Sequence, residues 1–208
     1  MGRMHALSRT YTSPEPDWKR QEWHDDPLFD PCWIPAEQQQ VLEQSQTWMA
    51  KLRQRPRSRA TYGLVHSDLH QGNFFITAAN PGDPDPGQLW VFDFDDCEYH
   101  WFVNDIAVSF FYLLRGFVEP AERQNTMVTL FPHFWRAYQH EHHLPEDELL
   151  AVPHFLLQRD LLLYALIHQT QDLSHMTPEA LQRLSARRRR IEEGDIGLDW
   201  ERVLDALV

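Results

Sequence analysis

Lysine is almost missing from these 208 residues: Lys19 and Lys51 stand against 17 arginines. Cysteine is as scarce. Cys32 and Cys97 alone exclude a disulfide-framed fold and lead us to expect a cytoplasmic protein with free thiols. Long apolar runs are also missing. The longest, Leu161–Ile167 and Ala107–Leu114, reach less than half of the ~20 residues that span a bilayer. The opening Met1–His5 has no apolar stretch of the signal-peptide kind, so no membrane partner is expected. Eight glycines include no Gly-x-Gly-x-x-Gly, the pattern of a glycine-rich nucleotide loop. Basic charge is short too. Thirty-one acids against 19 bases leave a net charge of -12, which argues against a nucleic-acid partner. An acidic site suits a cationic ligand, or a metal ion bound together with phosphates.

Apolar residues are plentiful at 42%, with 12% aromatics, enough for a sizeable core. Five prolines between Pro14 and Pro35 keep residues 1–34 irregular after a short first helical turn. Trp18, Trp23, Phe29 and Trp33 are expected to anchor that stretch on the body. Residues 35–55 read as an amphipathic helix with Val41, Leu42, Ser45, Trp48, Met49 and Leu52 on one face. Short strands are expected at Tyr62–Val65, Phe74–Thr77 and Leu89–Phe92, the last two joined by a loop over 78–88. Those two strands are apolar at most positions, which predicts burial on both faces. Beyond Tyr99 the chain reads as helices. They fall over Asp105–Arg115, Ala121–His142 (core stripe Met127, Leu130, Phe131, Phe134 and Tyr138), Glu146–Asp172 with a kink at Pro153, Pro178–Glu193 and Asp199–Leu207. The fold class is therefore α+β and mainly helical.

The chemistry concentrates in His66-Ser67-Asp68-Leu69-His70-Gln71-Gly72-Asn73, between two strands. If Phe74–Thr77 and Leu89–Phe92 pair antiparallel, the start of the first lies beside the end of the second. Asn73 and Asp93 then share one edge of the hairpin, with Asp68 on the loop leading into it. A carboxylate and an amide oxygen on neighbouring strand ends make a hard-oxygen pocket suited to Mg²⁺, which takes one or two carboxylates plus substrate phosphates. The remaining carboxylate, Asp68, is placed to serve a substrate hydroxyl as base or orienting group. Asp95, Asp96 and Glu98 extend the acidic cluster. Asp95 is a candidate metal contact, and Asp96 and Glu98 are candidate substrate contacts or parts of a solvated turn.

The string His66-Ser67-Asp68-x-x-x-x-Asn73, followed by Val91-Phe92-Asp93-Phe94-Asp95, resembles the aminoglycoside phosphotransferase/choline kinase family of kinase-like enzymes. Asp105-Ile106-Ala107, twelve residues after Asp93, matches that family's third motif, and Gly2–Leu7 looks like its helix just after the interlobe hinge. Ser67 departs from the family's usual glycine. The resemblance implies an ATP- and Mg²⁺-dependent transfer of phosphate to a small-molecule hydroxyl acceptor. Asp68 would be the catalytic base, Asn73 and Asp93 the magnesium ligands, and Asp105 a support of the catalytic loop. His66 would pack beneath that loop. It also implies a C-terminal kinase lobe over 1–208: a post-hinge segment (1–34), a catalytic core (35–115) and a helical substrate-side subdomain (116–208).

A kinase of this kind also uses a strand lysine that grips the phosphates. Lys19 lies in the proline-rich stretch and Lys51 on the amphipathic helix, so the N-terminal β-lobe is expected to be absent from this chain and activity to be weak or nil without it. A second reading is a non-catalytic lobe that works by binding a partner, whether a missing lobe or a second copy. The acidic net charge favours a cationic acceptor. Three further features have bland readings: a buried or half-buried salt bridge for Arg159 and Asp160, a solvated helix end rather than a metal site for His140, His142 and His143, and a solvated face for Arg187–Arg190.

Overall fold

The computed structural model describes residues 1–15, 17–77 and 87–207. Pro16 and residues 78–86 of the expected hairpin loop lie outside the described residues. Helix α1 (Gly2–Ser8) is followed by three single 3₁₀ turns between Trp23 and Trp33, and then by α2 (Gln39–Gln54). Strands β1 (Tyr62–Val65), β2 (Phe74–Ile76), β3 (Leu89–Val91) and β4 (Glu98–Trp101) come next. The rest is helical: α3 (Phe102–Leu114), α4 (Pro120–Glu141), α5 (Val152–Thr170), α6 (Pro178–Glu193) and α7 (Trp200–Asp205).

Strand β1 pairs antiparallel with β4, Tyr62 opposite Trp101 and Val65 opposite Glu98. Strand β4 was not expected. Its acidic lead-in, Asp95-Asp96, reads as a turn, and the four strand residues mix Glu and His with two aromatics. Strand β2 pairs antiparallel with β3, Phe74 opposite Val91. This hairpin contradicts the expected two-sided burial: Phe75 is 52%, Ile76 62% and Trp90 47% exposed. The reason is topological. Among the described residues the two strands pair only with each other, so their apolar content has no second sheet layer to enter.

The main core gathers Trp23, Trp101, Phe102, Ile106, Phe131 and Phe155 around α3 and the start of α5. Trp23 is fully buried and Trp18 is 78% exposed, so the proline-rich stretch is anchored by the first and not by the second. On α4 the buried stripe is Met127, Phe131, Trp135 and Tyr138, while Leu130 faces outward. Pro153 begins α5 rather than kinking it; the preceding turn, Glu146–Ala151, is 3₁₀. The Glu146–Thr170 stretch is long and apolar enough to cross a membrane. It behaves as a core element, since Arg159 and Asp160 inside it form ion pairs with other parts of the chain.

Helix α1 lies directly on α4. A Cβ at Gly2 would stand 2.9 Å from the Tyr138 carbonyl oxygen, so only glycine permits this approach. The close packing brings His5 into the interior beside Tyr138 and Asp105.

Candidate active site

The loop between β1 and β2 carries His66, Ser67, Asp68, His70 and Asn73, and each is held by a different part of the chain. Asp105, buried in the first turn of α3, accepts hydrogen bonds from the backbone N–H groups of His66 (3.0 Å) and Ser67 (2.7 Å). The His5 Nε2–H donates to the same carboxylate at 3.0 Å, and the Tyr138 hydroxyl sits 2.6 Å from His5 Nδ1. One chain of bonds thus runs from α4 through α1 and α3 to the loop. Its charge state is set by burial and bonding together. Burial alone would raise the Asp105 carboxyl, but bonds from His5, His66 and Ser67 outweigh it and hold it below the ordinary carboxylate range. Burial lowers His5, whose neutral ring donates through Nε2 and accepts from Tyr138 through Nδ1. Asp105 lies within α3, whose N-cap is Trp101, so it is not a helix cap.

Ser67 has φ +65°, a left-handed conformation that costs a side-chain-bearing residue of order 1 kcal/mol. Its hydroxyl offsets this by donating to Glu98 Oε1 at 2.6 Å, and Asn104 Nδ2 approaches the same hydroxyl at 3.3 Å. Glu98 is therefore no open substrate contact: it is 6% exposed, in β4, under the loop. Burial pushes its carboxyl up to about 8, with the neighbouring Asp26 and Asp105 adding to the rise. Stability should fall in the order Ser67, Ser67→Gly, Ser67→Ala. Alanine keeps the strain and loses the bond, about 1–2 kcal/mol in a urea titration, whereas glycine recovers the strain. A glycine variant more stable than the parent would show that the Glu98 bond is worth less than the strain it is set against.

Asp68 sits at the centre of a cluster that sequence reasoning did not assemble. Arg159 on α5 forms an ion pair with Asp68 Oδ1 and also donates to the Tyr112 hydroxyl at 2.8 Å. His70 Nε2 lies 3.3 Å from Asp68 Oδ2, and its ring packs on Tyr112. Asn73 Nδ2 donates to the Asp68 carbonyl (2.9 Å) and carboxylate (3.3 Å). The buried or half-buried salt bridges expected of Arg159 and Asp160 are formed, with partners other than each other. The two adjacent side chains point apart, and Asp160 takes Arg187 and Arg190 instead. Two members of the arginine run thus turn inward, while Arg188 makes the i,i+4 pair with Glu192. His5 stood in view within the Gly2–Leu7 match. Arg159 and Tyr112 carried no local signal, being 91 and 44 residues from Asp68.

Asn73 and Asp93 lie at one edge of the hairpin, since the Phe92 N–H donates to the Asn73 carbonyl at 3.0 Å. The His66 ring lies beneath, donating from Nε2 to the Phe92 carbonyl at 3.0 Å and packing against Phe94. Asp93 takes φ +64°, a second strained residue at the same spot. Strain at non-glycine residues collects where geometry serves a function. With Nδ2 turned to Asp68, the Asn73 amide oxygen and the exposed Asp93 carboxylate have no hydrogen-bond or ion-pair partner among the described residues. An amide oxygen beside one carboxylate fits a hard cation that draws its other ligands from phosphates and water. Among the described residues no three His, Cys, Asp or Glu side chains cluster as a self-sufficient metal site, the His140, His142 and His143 group included. His142 is buried and bonds the Ala60 carbonyl, rather than lying on a solvated helix end. Asp95 and Asp96 are exposed; Arg20 reaches the Asp95 backbone carbonyl at 2.9 Å, not its carboxylate.

Comparison with known proteins gives the family of the chain. A family model described as a phosphotransferase enzyme family, APH, matches residues 1–143. Amicoumacin kinase of Bacillus subtilis (strain 168) is 38% identical over 195 residues, which are 93% of this chain and 56% of that protein. A solved amicoumacin kinase, hAmiN in complex with AMP-PNP, Ca²⁺ and Ami, superposes with a TM-score of 0.84 at 34% identity. The match covers 96% of this chain and 59% of that one. A microcompartment-associated aminopropanol kinase superposes at 0.64 with 20% identity over 94% of this chain and 62% of its own, a likeness of fold alone. The chain spans somewhat more than half the length of these relatives.

Proposed function

The chain belongs to the phosphotransferase enzyme family, and from that premise we propose that it is the catalytic-loop lobe of a small-molecule kinase that moves a phosphoryl group from ATP to a hydroxyl. The observation that carries this reading is the convergence of Asp68, Asn73 and Asp93 at one edge of the β2–β3 hairpin. In it Asp68 accepts the proton of the acceptor hydroxyl. Arg159, His70 and Asn73 hold that carboxylate in line, and Asp105 and His66 fix the loop beneath it. Asn73 and Asp93, with Asp95 beside them, would hold Mg²⁺, which when bound bridges the phosphates and neutralises their charge. The acidic surface favours a cationic acceptor, and the unpaired Cys32 and Cys97 favour the cytoplasm. Residues 1–34, 35–115 and 116–208 divide as post-hinge segment, catalytic core and substrate-side helices.

Neither lysine serves this loop: Lys19 pairs with Glu22 at 3.0 Å and Lys51 lies on α2. The phosphate-gripping group therefore comes from protein outside these 208 residues, and the chain alone turns over weakly or not at all. A second reading, a lobe acting through a bound partner, draws on the exposed Phe75, Ile76 and Trp90 of the hairpin.

Thermal melting with ATP tests the first reading. ATP with Mg²⁺ should raise the midpoint through binding to the folded state, and Asn73→Ala and Asp93→Ala should remove the rise. A rise of equal size without metal, or one that survives Asp93→Ala, counts against it, and no rise at all favours the second reading. Turnover at an ordinary kinase rate, lost in Asp68→Asn, would show that the chain needs no further lobe.

A further inference from the structure

A cavity of about 640 Å³ opens between the C-terminal end of α3, the start of α4, α5 and α6. None of Asp68, His70, Asn73, Asp93, Tyr112 or Arg159 lines it. Its charge is opposite to that of the protein. Arg115, Arg123, Arg183, Arg187 and Arg190 face it against the single carboxylate of Asp160, in a chain of net charge -12. Asp160 is fully engaged: it accepts from Arg187 Nε at 2.9 Å and from Arg190 Nε at 3.0 Å and Nη2 at 3.1 Å. Among the described residues Arg115, Arg123 and Arg183 have no carboxylate within ion-pair distance, and Arg123 Nε is buried with no hydrogen-bond partner. The other acid that acts on Arg123, Asp195, accepts the Gly197 N–H at 2.7 Å. Phe111, Leu114, Leu156 and Met176 supply an apolar wall.

Guanidinium groups that outnumber the carboxylates acting on them, Asp160, Asp195 and Glu179, repel one another, and burial adds a desolvation cost that lowers Arg123 and Arg187. An anion that accepts from several of them relieves both, and planar guanidiniums match phosphate and carboxylate oxygens. We propose that this cavity binds a small phosphate monoester with an apolar body, at a site separate from the Asp68 loop. Two negative charges answer the excess of arginine, and the apolar wall takes the organic part.

The test is calorimetric titration of the full chain, without nucleotide or divalent metal, using phenyl phosphate, benzoate and benzylammonium as probes. Phenyl phosphate should bind most tightly, benzoate more weakly and benzylammonium not at all, with the first two weakened by high salt. Arg123→Gln and Arg183→Gln should each weaken phenyl phosphate by about tenfold or more, the scale of one lost charge-assisted hydrogen bond, whereas Arg159→Gln should leave it unchanged. Should Arg123→Gln fail to fold, the exposed Arg183 decides the matter alone. Binding that ignores both substitutions, that follows Arg159 instead, or that takes benzylammonium as readily would overturn the proposal.

Discussion

Asp105→Ala should destabilise the protein by about 3–5 kcal/mol, the scale measured when one partner of a buried charge network is removed. The carboxylate is wholly buried and accepts from two backbone N–H groups and one imidazole. Truncation leaves all three donors without an acceptor and without water, at roughly 1–3 kcal/mol for each group that cannot relax. Asp105→Asn should lose less, because one amide oxygen remains, although its NH₂ group then faces a donor. His5→Gln should be milder again, since the loop keeps both of its bonds to Asp105. Urea titration reads all three. Metal-dependent ATP binding should weaken in the same order, because the bonds that are lost hold the peptide leading into Asp68. A loss below about 1 kcal/mol for Asp105→Ala would mean that the loop is fixed by something other than this network.

The second large effect is a dependence on pH set within β4. Glu98 is raised by burial from 4.5 to about 8 in the folded protein, and His100, also buried, is lowered from 6.5 to about 3. Between pH 4.5 and 8 the folded state holds a proton on Glu98 that the unfolded chain has released, so stability falls as pH rises through that range. Between pH 6.5 and 3 the unfolded chain takes up a proton that folded His100 refuses, so stability falls as pH drops. From 4.5 to 6.5 the two slopes oppose, which leaves a plateau with declines on both sides. The lowering of buried His5 adds to the acid side. Burial is the main cause, and the neighbours of the ring add to it: Nδ1 accepts from the Trp101 N–H at 2.9 Å and Nε2 faces the Gln158 Nε2, itself a donor, at 3.2 Å. Glu98→Gln copies the protonated acid and keeps an acceptor for Ser67. It should abolish the alkaline decline and exceed the parent in stability at pH 9 by an order of a few kcal/mol. A parent protein whose urea midpoint is flat from pH 6.5 to 9 would refute the assignment.

The parts of the site that could be read from the chain are those within one supersecondary unit. His66, Asp68 and Asn73 lie within eight residues of one another, and Asp93 is brought to them by a hairpin whose two strands announce themselves. The helices carried equally local signals. Pro178 and Gly194 bracket α6, with Thr177 as its cap, while Pro153, read as a kink, is the start of α5. Local pattern failed where burial depends on what covers an element. Phe75 and Trp90 look like core residues and are exposed, and Glu98 looks like a surface acid and is buried. An apolar strand states only that burial would be favourable; whether a partner layer exists is a property of the whole arrangement.

By itself the sequence determined a mainly helical α+β chain, free of disulfides, with a phosphotransferase signature at 66–105. It also determined a chemical shortage, since two lysines cannot be placed at the phosphates by any local rule. The tertiary structure alone decided which charges meet. Arg159 crosses to Asp68, Asp160 turns away to Arg187 and Arg190, and three further arginines are left around a cavity. The physical reason is that adjacent residues on a helix diverge by about 100°, so neighbours in sequence serve different faces. Electrostatic partnership falls off within a few ångströms, a distance that helix packing sets and sequence separation does not.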